Sequence, residues 1–454
     1  MNKRILGLAL PNIITNITVP LLGMVDMAIV GHLSSSHIGA ITIGTSIFNL
    51  IYWNFGFLRM GTSGFTAQAY GARRWDEATA TLIRAATLAL AIALLLIALQ
   101  WPLSRLALII FDGSDEVMRM ALTYFFVRIW AAPATLGLYA IKGWFIGMQD
   151  SKTPMWIAIA LNCINILASL LFVLVLHWDI AGVALGTVVA NYSGLALALF
   201  FLRRKWKADN GKWKAECKEL SAFTSRLSTF KEALRWSEMR RFFKVNGDIF
   251  LRTVCLSAVF TFITAASGRI SDEVLAIDAL LLQFFTLFSY IMDGFAYAGE
   301  ALVGRFIGSR QQRQLRLSVR LLLLWGLVLT AAFTLLYALF SQQLLHIFTS
   351  DKALIAATGD YIVWVLVIPV CGFAAFLFDG IFIGATASRT MRNAMFVATA
   401  AFFLVYYGQK AHLGDALTPN SWNNTLWIAF MVFLVLRGLL QGLRVRKDIY
   451  SQAQ

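Results

Sequence analysis

Twelve long apolar stretches follow one another along this chain of 454 residues, and they constrain its fold more than any other feature. A transmembrane helix needs about 20 consecutive, mostly apolar residues. Only 14% of the residues are charged, whereas a soluble domain carries about a quarter charged residues. The sequence therefore predicts an all-α polytopic membrane protein with 12 transmembrane helices. They are expected at roughly residues 5–31, 38–69, 79–111, 119–148, 153–177, 180–202, 242–267, 274–304, 318–345, 355–385, 391–409 and 422–442.

Positive charge is unevenly divided between the segments that join these stretches. With the N-terminus in the cytoplasm, the cytoplasmic segments carry 29 of the 39 Lys and Arg residues, and the opposite loops carry five. Cytoplasmic loops of membrane proteins are enriched in Lys and Arg, so both termini are expected to be cytoplasmic. The net charge of +15 lies in short clusters between apolar stretches, which suits a membrane surface, so membrane lipid is expected as a partner and nucleic acid is not.

An internal repeat marks the middle of the chain. The stretch GWFIGMQDSKT at 143–153 recurs as GIFIGATASRT at 380–390, with six identities in eleven positions and an offset of 237. A second pair, GFLRMG at 56–61 and GFAYAG at 294–299, has an offset of 238. An even number of helices separates the copies, which predicts two parallel halves, an arrangement typical of transporters.

The repeat predicts two pseudo-symmetric six-helix lobes. The N-lobe is expected at 1–203, a cytoplasmic linker at 204–240 and the C-lobe at 241–454. The glycine pairs Gly143/Gly147 and Gly380/Gly384 are expected to allow close helix contacts at equivalent points of the two lobes. A substrate cavity is expected between the lobes.

Asp26 is the only acidic residue of the first apolar stretch, and it is the strongest functional candidate. Asn12 and Thr15 share its helical face, and no Lys or Arg lies one helical turn away. An unpaired carboxylate in a membrane costs several kcal/mol unless it is neutralised. Asp26 is therefore expected to bind and release a proton, and the alternative is a structural hydrogen bond to a neighbouring helix.

The predicted eighth helix carries a polar stripe that is a candidate for a substrate cavity or a proton relay. Its members are Tyr290, Asp293, Tyr297 and Glu300, which follow at spacings of three and four residues. Pairing with basic residues is the alternative, and Arg305 is close to Glu300 in sequence.

Two further acidic residues in the predicted spans have basic candidates as partners. Asp379 and Lys142 occupy equivalent positions of the repeat, so an ion pair between them is one expectation and a place in the substrate cavity for Asp379 is another. Asp248 and Arg252 are four residues apart on the predicted seventh helix, which favours a local ion pair.

Catalytic and metal-binding motifs are not found in the sequence. It has no H-E-x-x-H, no G-x-S-x-G and no phosphate-binding P-loop, so the chain is not expected to be an enzyme. The four cysteines are scattered, and no metal site or cofactor is predicted. Without a nucleotide site, transport would have to draw on an ion gradient.

Four stretches resemble the multidrug and toxic compound extrusion (MATE) transporters, and more narrowly their DinF branch. They are NITVPLLGMVDMAIVGHL (16–33), FLRMGTSGFTAQAYGAR (57–73), DGFAYAGEALVG (293–304) and DGIFIGATASRTMRNAM (379–395). The resemblance implies a MATE-like fold of two six-helix lobes, and antiport of drugs against protons or Na⁺. It also implies that the membrane-embedded acidic residue of the branch is Asp26.

The resemblance further implies a polar cluster beside that acidic residue. Related members have an Asn on helix five, an Asp four residues later and a Thr on helix six, and the matching residues here are Asn165, Ser169 and Thr187. The Asp is thus replaced by Ser169. A hard cation prefers several oxygen ligands with net negative charge, so this departure favours protons over Na⁺ as the coupling ion.

The sequence and the resemblance together predict a monomeric antiporter of the bacterial inner (plasma) membrane that exports amphipathic, cationic compounds in exchange for protons. A Na⁺-coupled antiporter is the first alternative. A flippase for lipid-linked precursors is the second, but it would need a cationic cavity, whereas helices one and eight carry acidic residues. A passive channel and a membrane enzyme are less favoured.

Overall fold

The computed structural model describes residues 1–31, 35–111, 114–216, 233–413 and 418–453. Within these ranges, the side chains of residues 19–22, 24–31, 35, 207–216, 413 and 419 lie outside the description. The described residues are almost entirely helical, and none of them forms a strand. The predicted all-α class is therefore confirmed.

Sixteen α-helices occur in the described part of the chain. In chain order they are α1 (Asn2–Gly31), α2 (Ser35–Asn54), α3 (Phe57–Gly71), α4 (Trp75–Ala98), α5 (Gln100–Ile110), α6 (Asp115–Arg128), α7 (Ala132–Gly147), α8 (Lys152–Leu170), α9 (Asp179–Glu216), α10 (Trp236–Ile270), α11 (Asp272–Gly308), α12 (Gln312–Phe348), α13 (Lys352–Gly359), α14 (Ile362–Gly384), α15 (Ser388–Leu413) and α16 (Pro419–Asp448). Two 3₁₀ turns at Ile129–Ala131 and Tyr450–Ala453, and a π-helical turn at Leu171–Val175, complete the described helical structure.

Ten helical stretches of the described residues are long and apolar enough to cross a membrane. They correspond to ten of the twelve predicted spans, and the other two predicted spans coincide with α1 and α15. The ten stretches are therefore consistent with the predicted twelve.

Several predicted spans are interrupted where the sequence suggested one continuous helix. The second divides at Phe55–Gly56 into α2 and α3, and the fourth divides at Ile129–Ala131 into α6 and α7. Pro133 lies in the first turn of α7, where the missing N–H of proline costs no helical hydrogen bond. Hydropathy measures only how apolar a stretch is, so it did not register these interruptions.

The chain forms two compact units. The N-terminal unit comprises Ile14–Lys244, and the C-terminal unit comprises Met1–Ile13 together with Val245–Gln454. The first turns of α1 thus belong to the C-terminal unit, although the sequence predicted them in the N-lobe. Helix α9 continues to Glu216, beyond the predicted lobe boundary at 203.

The repeat is visible in how helices end within each unit. Arg73 follows α3 with a φ of 56°, and Arg310 follows α11 with a φ of 54°. Both helices close with a bond back to the helix, from Arg74 N to Ala69 O and from Gln311 N to Phe306 O, each 2.9 Å long. This arrangement satisfies carbonyls that would otherwise be unpaired at a helix end. Arg73 and Arg310 are separated by 237 residues, the offset of the sequence repeat.

The predicted glycine contacts are confirmed inside each unit. In the N-terminal unit, Gly143 and Gly147 of α7 lie against the backbone of α3. In the C-terminal unit, Gly380 and Gly384 of α14 lie against the backbone of α11. Each pair brings two helices close enough that no side chain fits between them.

Candidate coupling and substrate site

Asp26 lies in α1, but its side chain is outside the described part of the structure. Two residues that the sequence placed on its face are described. Asn12 and Thr15 are both buried, with 0% and 2% of their surfaces exposed, and the Nδ2 of Asn12 donates to the carbonyl of Leu8 at 2.8 Å. Asn12 belongs to the C-terminal unit and Thr15 to the N-terminal unit.

The structure brings Asn165 and Thr187 into direct contact inside the N-terminal unit. The Nδ2 of Asn165, on α8, donates to the Oγ1 of Thr187, on α9, at 3.0 Å. The Oγ of Ser169 donates to the Oδ1 of Asn165 at 3.3 Å. All three side chains are buried. Gly186, one residue before Thr187, lies against Ser169 and lets the two helices approach.

Two further hydrogen bonds connect this polar cluster to neighbouring helices. Asn191, one turn beyond Thr187, accepts from the hydroxyl of Thr135 on α7 at 3.1 Å. Asn162, one turn before Asn165, donates through its Nδ2 to the backbone carbonyl of Thr18 at 2.9 Å. Helix α8 is thereby bound to α1, the helix that carries Asp26.

The polar stripe of α11 lies in the C-terminal unit. Tyr290, Asp293 and Tyr297 are partly buried, and Glu300 is fully buried at 1% exposure. Asp293 interacts electrostatically with Tyr290 and with the guanidinium of Arg252 on α10. The stripe is therefore adjacent to a basic group of its own unit.

Asp379 of α14 lies at the centre of a buried ionic cluster in the C-terminal unit. Its Oδ2 accepts hydrogen bonds from the guanidinium groups of Arg252 and Arg437, and its Oδ1 accepts from the Nε2 of Gln441 at 2.9 Å. These groups are almost inaccessible to solvent. With Asp293 nearby, two guanidinium groups face two carboxylates, so the cluster has balanced charge.

The predicted local pair between Asp248 and Arg252 is wrong. The Oδ1 of Asp248 accepts from Arg392 at 2.6 Å and its Oδ2 accepts from the hydroxyl of Ser388 at 2.8 Å. Arg252, on α10, instead forms an ion pair with Asp379, on α14, and both side chains are buried.

Sequence reasoning missed two members of the ionic cluster, Arg437 and Gln441. The signal was present, because both lie in the apolar stretch FMVFLVLRGLLQGL of α16 and are four residues apart. Intramembrane arginines are costly unless paired, so Arg437 required an acidic partner. Spacing along one helix does not reveal which helix supplies that partner.

Comparisons with known proteins identify the family to which the chain belongs. The MatE family model matches residues 11–171 and 249–407. The chain belongs to this family, the MATE multidrug efflux transporters. It is 35% identical to the DNA damage-inducible protein F of Escherichia coli, over 96% of this chain and 90% of that protein. It is 22% identical to the probable multidrug resistance protein NorM of Geobacillus kaustophilus, over 98% of this chain and 94% of that protein.

Solved structures of MATE transporters share the fold. The bent form of a Vibrio cholerae MATE transporter superposes with a TM-score of 0.82 at 17% identity, covering 99% of this chain and 97% of that one. A transporter of the MOP superfamily from Pyrococcus furiosus, described as having a binding pocket of reverse polarity, gives a TM-score of 0.78 at 18% identity and covers 100% and 96%. The family match and the 35% identical relative show that the chain is a membrane-embedded, multi-pass transporter, and its family is one of transporters, not of enzymes.

Proposed function

We propose that this protein is a secondary active antiporter that exports amphipathic, cationic compounds in exchange for protons, and that Asp26 is its coupling residue. The observation that carries the proposal is the buried cluster of Asn165, Ser169 and Thr187, which is polar but neutral. Because the cluster is neutral, the change of charge that proton coupling requires has to come from a carboxylate nearby.

The helix contacts support a place for Asp26 beside this cluster. Asn162 contacts the carbonyl of Thr18, and both α1 and α8 are expected to run from the inner to the outer face. Asp26 is eight residues beyond Thr18, and Ser169 is seven residues beyond Asn162. At about 1.5 Å per residue, the two positions lie about 12 Å and about 10 Å from the contact, at nearly the same level.

The neutrality of the cluster favours a proton over Na⁺. A sodium site needs several oxygen ligands with net negative charge. The Oδ1 of Asn165 and the Oγ1 of Thr187 each accept one hydrogen bond, and neither oxygen carries a charge. A proton needs only one carboxylate oxygen.

Coupling requires that proton and substrate favour opposite states of the transporter. A proton that reaches Asp26 from outside neutralises it, which weakens its attraction for a cationic substrate and promotes release outward. Substrate that enters from the cytoplasm favours the ionised form, so the proton leaves inward. The two gradients are thereby linked through one carboxylate.

The same proposal covers location and partners. The 35% identity to an Escherichia coli protein supports a bacterial inner membrane location. The Lys and Arg distribution supports cytoplasmic positions for both termini. The partners are amphipathic cations and membrane lipid, and the protein acts as a monomer. The proton is the coupling ion, and no cofactor is required.

Ethidium efflux from proteoliposomes tests the proposal, with pH and Na⁺ gradients imposed separately. The wild type should move ethidium uphill in a pH gradient alone, and Asp26→Asn should abolish this movement. Asp115→Asn is the matched control, because Asp115 is exposed in the first turn of α6. Transport that requires Na⁺ would contradict proton coupling. Full gradient-driven efflux by Asp26→Asn would exclude Asp26, and no coupled transport in either gradient would favour the lipid flippase.

A further inference from the structure

A second buried carboxylate, Asp278, lies near the start of α11 in the C-terminal unit and has no part in the ionic cluster of Asp379. Only 1% of its surface is exposed. Its Oδ1 accepts from the Nδ2 of Asn423 at 3.0 Å and from the Nε1 of Trp427 at 2.7 Å, both on α16. Its Oδ2 contacts the Oγ of Ser267 on α10. Three helices thus meet at one acidic side chain.

The groups around Asp278 are neutral. Its hydrogen-bond partners among the described residues are a serine, an asparagine and a tryptophan, and none is a Lys, Arg or His. The phenol of Tyr361, at the start of α14, interacts electrostatically with Asp278, and it also interacts with Asp360 and Glu273. Arg269 of α10 is exposed, and Lys410 of α15 lies over the ring of Trp422. An ionised Asp278 would therefore be a buried charge without a cation, which costs several kcal/mol.

The two protonation states of Asp278 differ in which oxygen accepts the hydroxyl hydrogen of Ser267. The Oγ of Ser267 lies 2.8 Å from the carbonyl of Ile263 and also contacts the Oδ2 of Asp278. A serine hydroxyl has one hydrogen, so it donates to one of these oxygens at a time. If Asp278 carries a proton on Oδ2, that proton is donated to Ser267 while Ser267 donates to Ile263. If Asp278 is ionised, Ser267 turns its hydrogen to the carboxylate.

In both states, the carboxyl group of Asp278 and the hydroxyl group of Ser267 therefore remain hydrogen-bonded to each other. The carbonyl of Ile263 can release Ser267 because it can still accept the backbone bond of the helix. A group that exchanges a proton without leaving a buried polar atom unpaired is suited to reversible protonation.

The repeat relates the position of Ser267 to a position on α1 close to Asp26. Ser267 corresponds to Val30 at the offset of 237, and Val30 is four residues, one helical turn, beyond Asp26 on α1. The buried carboxylate of the C-terminal unit thus contacts the helix that corresponds to α1, at about the level at which α1 carries its own carboxylate.

We propose that Asp278 is a second proton-binding site of this transporter, in the C-terminal unit, with Ser267 as the hydrogen-bond partner that adapts to both protonation states. This inference deepens the proposed function. It rests on that function for one point, which is that the bound protons take part in transport. It assigns one exchangeable proton to each unit.

Infrared difference spectroscopy of the purified full-length protein in lipid nanodiscs tests this site. Spectra recorded at about pH 8 and about pH 5 should differ by the carbonyl bands of protonated carboxylic acids, and one of these bands is assigned to Asp278. Asp278→Asn should lose that one band. Asp26→Asn should retain it, and so should Asp272→Asn, which changes an exposed carboxylate on the same helix.

Ser267→Ala is a second variant that separates a proton site from a merely structural cluster. It leaves the carboxylate in place but removes one hydrogen-bond partner from Oδ2, so the Asp278 band should move to a different frequency. Identical pH-induced bands in the wild type and Asp278→Asn would overturn the inference, because Asp278 would then exchange no proton.

Ethidium efflux, measured in parallel, separates this inference from the proposed function. If the Asp278 band titrates while wild-type efflux requires Na⁺, the proposed proton coupling fails and the binding site stands. If efflux follows the pH gradient through Asp26 but no Asp278 band titrates, the coupling stands and this inference fails.

Discussion

Gly380 of α14 lies directly against the backbone of Ala296 in α11. In the other unit, Gly143 of α7 lies in the same way against the backbone of Arg59 in α3. The partners Arg59 and Ala296 are separated by the same 237 residues as the two glycines. The sequence had aligned GFLRMG with GFAYAG at 238, so the helix contacts correct that alignment by one residue.

Gly380→Ala should destabilise the C-terminal unit, because the added Cβ would collide with the carbonyl of Ala296, which is fixed in α11. Overpacking of this kind costs about 1–3 kcal/mol. Gly408→Ala is the control, since Gly408 is also helical but has open space at its Cβ position. Thermal unfolding in detergent, followed by tryptophan fluorescence, should show a lower midpoint for Gly380→Ala only. Equal midpoints would contradict the close contact.

Asp379→Asn should lower the stability of the C-terminal unit more than Gly380→Ala does, since it leaves Arg252 and Arg437 buried without their carboxylate. Breaking a buried ion pair from one side costs about 3–5 kcal/mol. Adding Arg437→Leu to Asp379→Asn should recover part of the loss, because one uncompensated charge is removed, and the two changes should be non-additive. The measurement is the fraction of monodisperse protein after heating. A double variant less stable than Asp379→Asn would contradict this account.

Much of the fold could be predicted from the sequence because the relevant signals are local. An apolar stretch is recognised without knowing its neighbours, and the repeat at 143–153 and 380–390 needs only a comparison of the chain with itself. The interruptions at Phe55–Gly56 and Ile129–Ala131 were missed because they lie inside apolar sequence, where hydropathy stays high.

The ion pairs and hydrogen bonds of the sites were predicted less well, because they join residues on different helices that are far apart in the sequence. The spacing of Asp248 and Arg252 favoured a local pair, yet Arg252 binds Asp379, 127 residues away. Asp278 was overlooked because it lies near the expected end of a span, where a carboxylate is unremarkable until its burial is known. Asn165 and Thr187 were found only through the family resemblance, and their contact is now described while their role stays a prediction.

Asp150, in the turn between α7 and α8, should give the stability of the N-terminal unit a dependence on acid pH. Burial alone would raise the pKa of Asp150, but the ammonium of Lys205 at 3.0 Å and two hydrogen bonds from Thr153 outweigh it and lower the pKa below its ordinary value of 3.8. The folded state therefore binds fewer protons than the unfolded state. The stabilisation is present above that ordinary value and is lost as the pH falls through the lower, folded pKa.

Asp150→Asn should therefore be less stable than the wild type near neutral pH, and the difference should shrink in acid. The pair is partly exposed, so the expected difference is at most about 1 kcal/mol. Unfolding midpoints of both proteins at about pH 7 and about pH 3 measure it. A difference that stays constant with pH would show that the charge of Asp150 does not contribute.

Thr187→Val should impair coupling while preserving the fold, because it removes the Oγ1 that accepts from Asn165 but keeps the shape of the side chain. Loss of one such buried hydrogen bond is worth about 1 kcal/mol, or about a fivefold change in an equilibrium constant. Ethidium efflux driven by a pH gradient should fall by about that factor at equal protein content. Thr123→Val is the matched control, since the hydroxyl of Thr123 is exposed on α6 and donates only to its own helix, to Arg119 O. Unchanged efflux by Thr187→Val would separate the cluster of Asn165 and Thr187 from coupling, and Asp26 would then have to act without it.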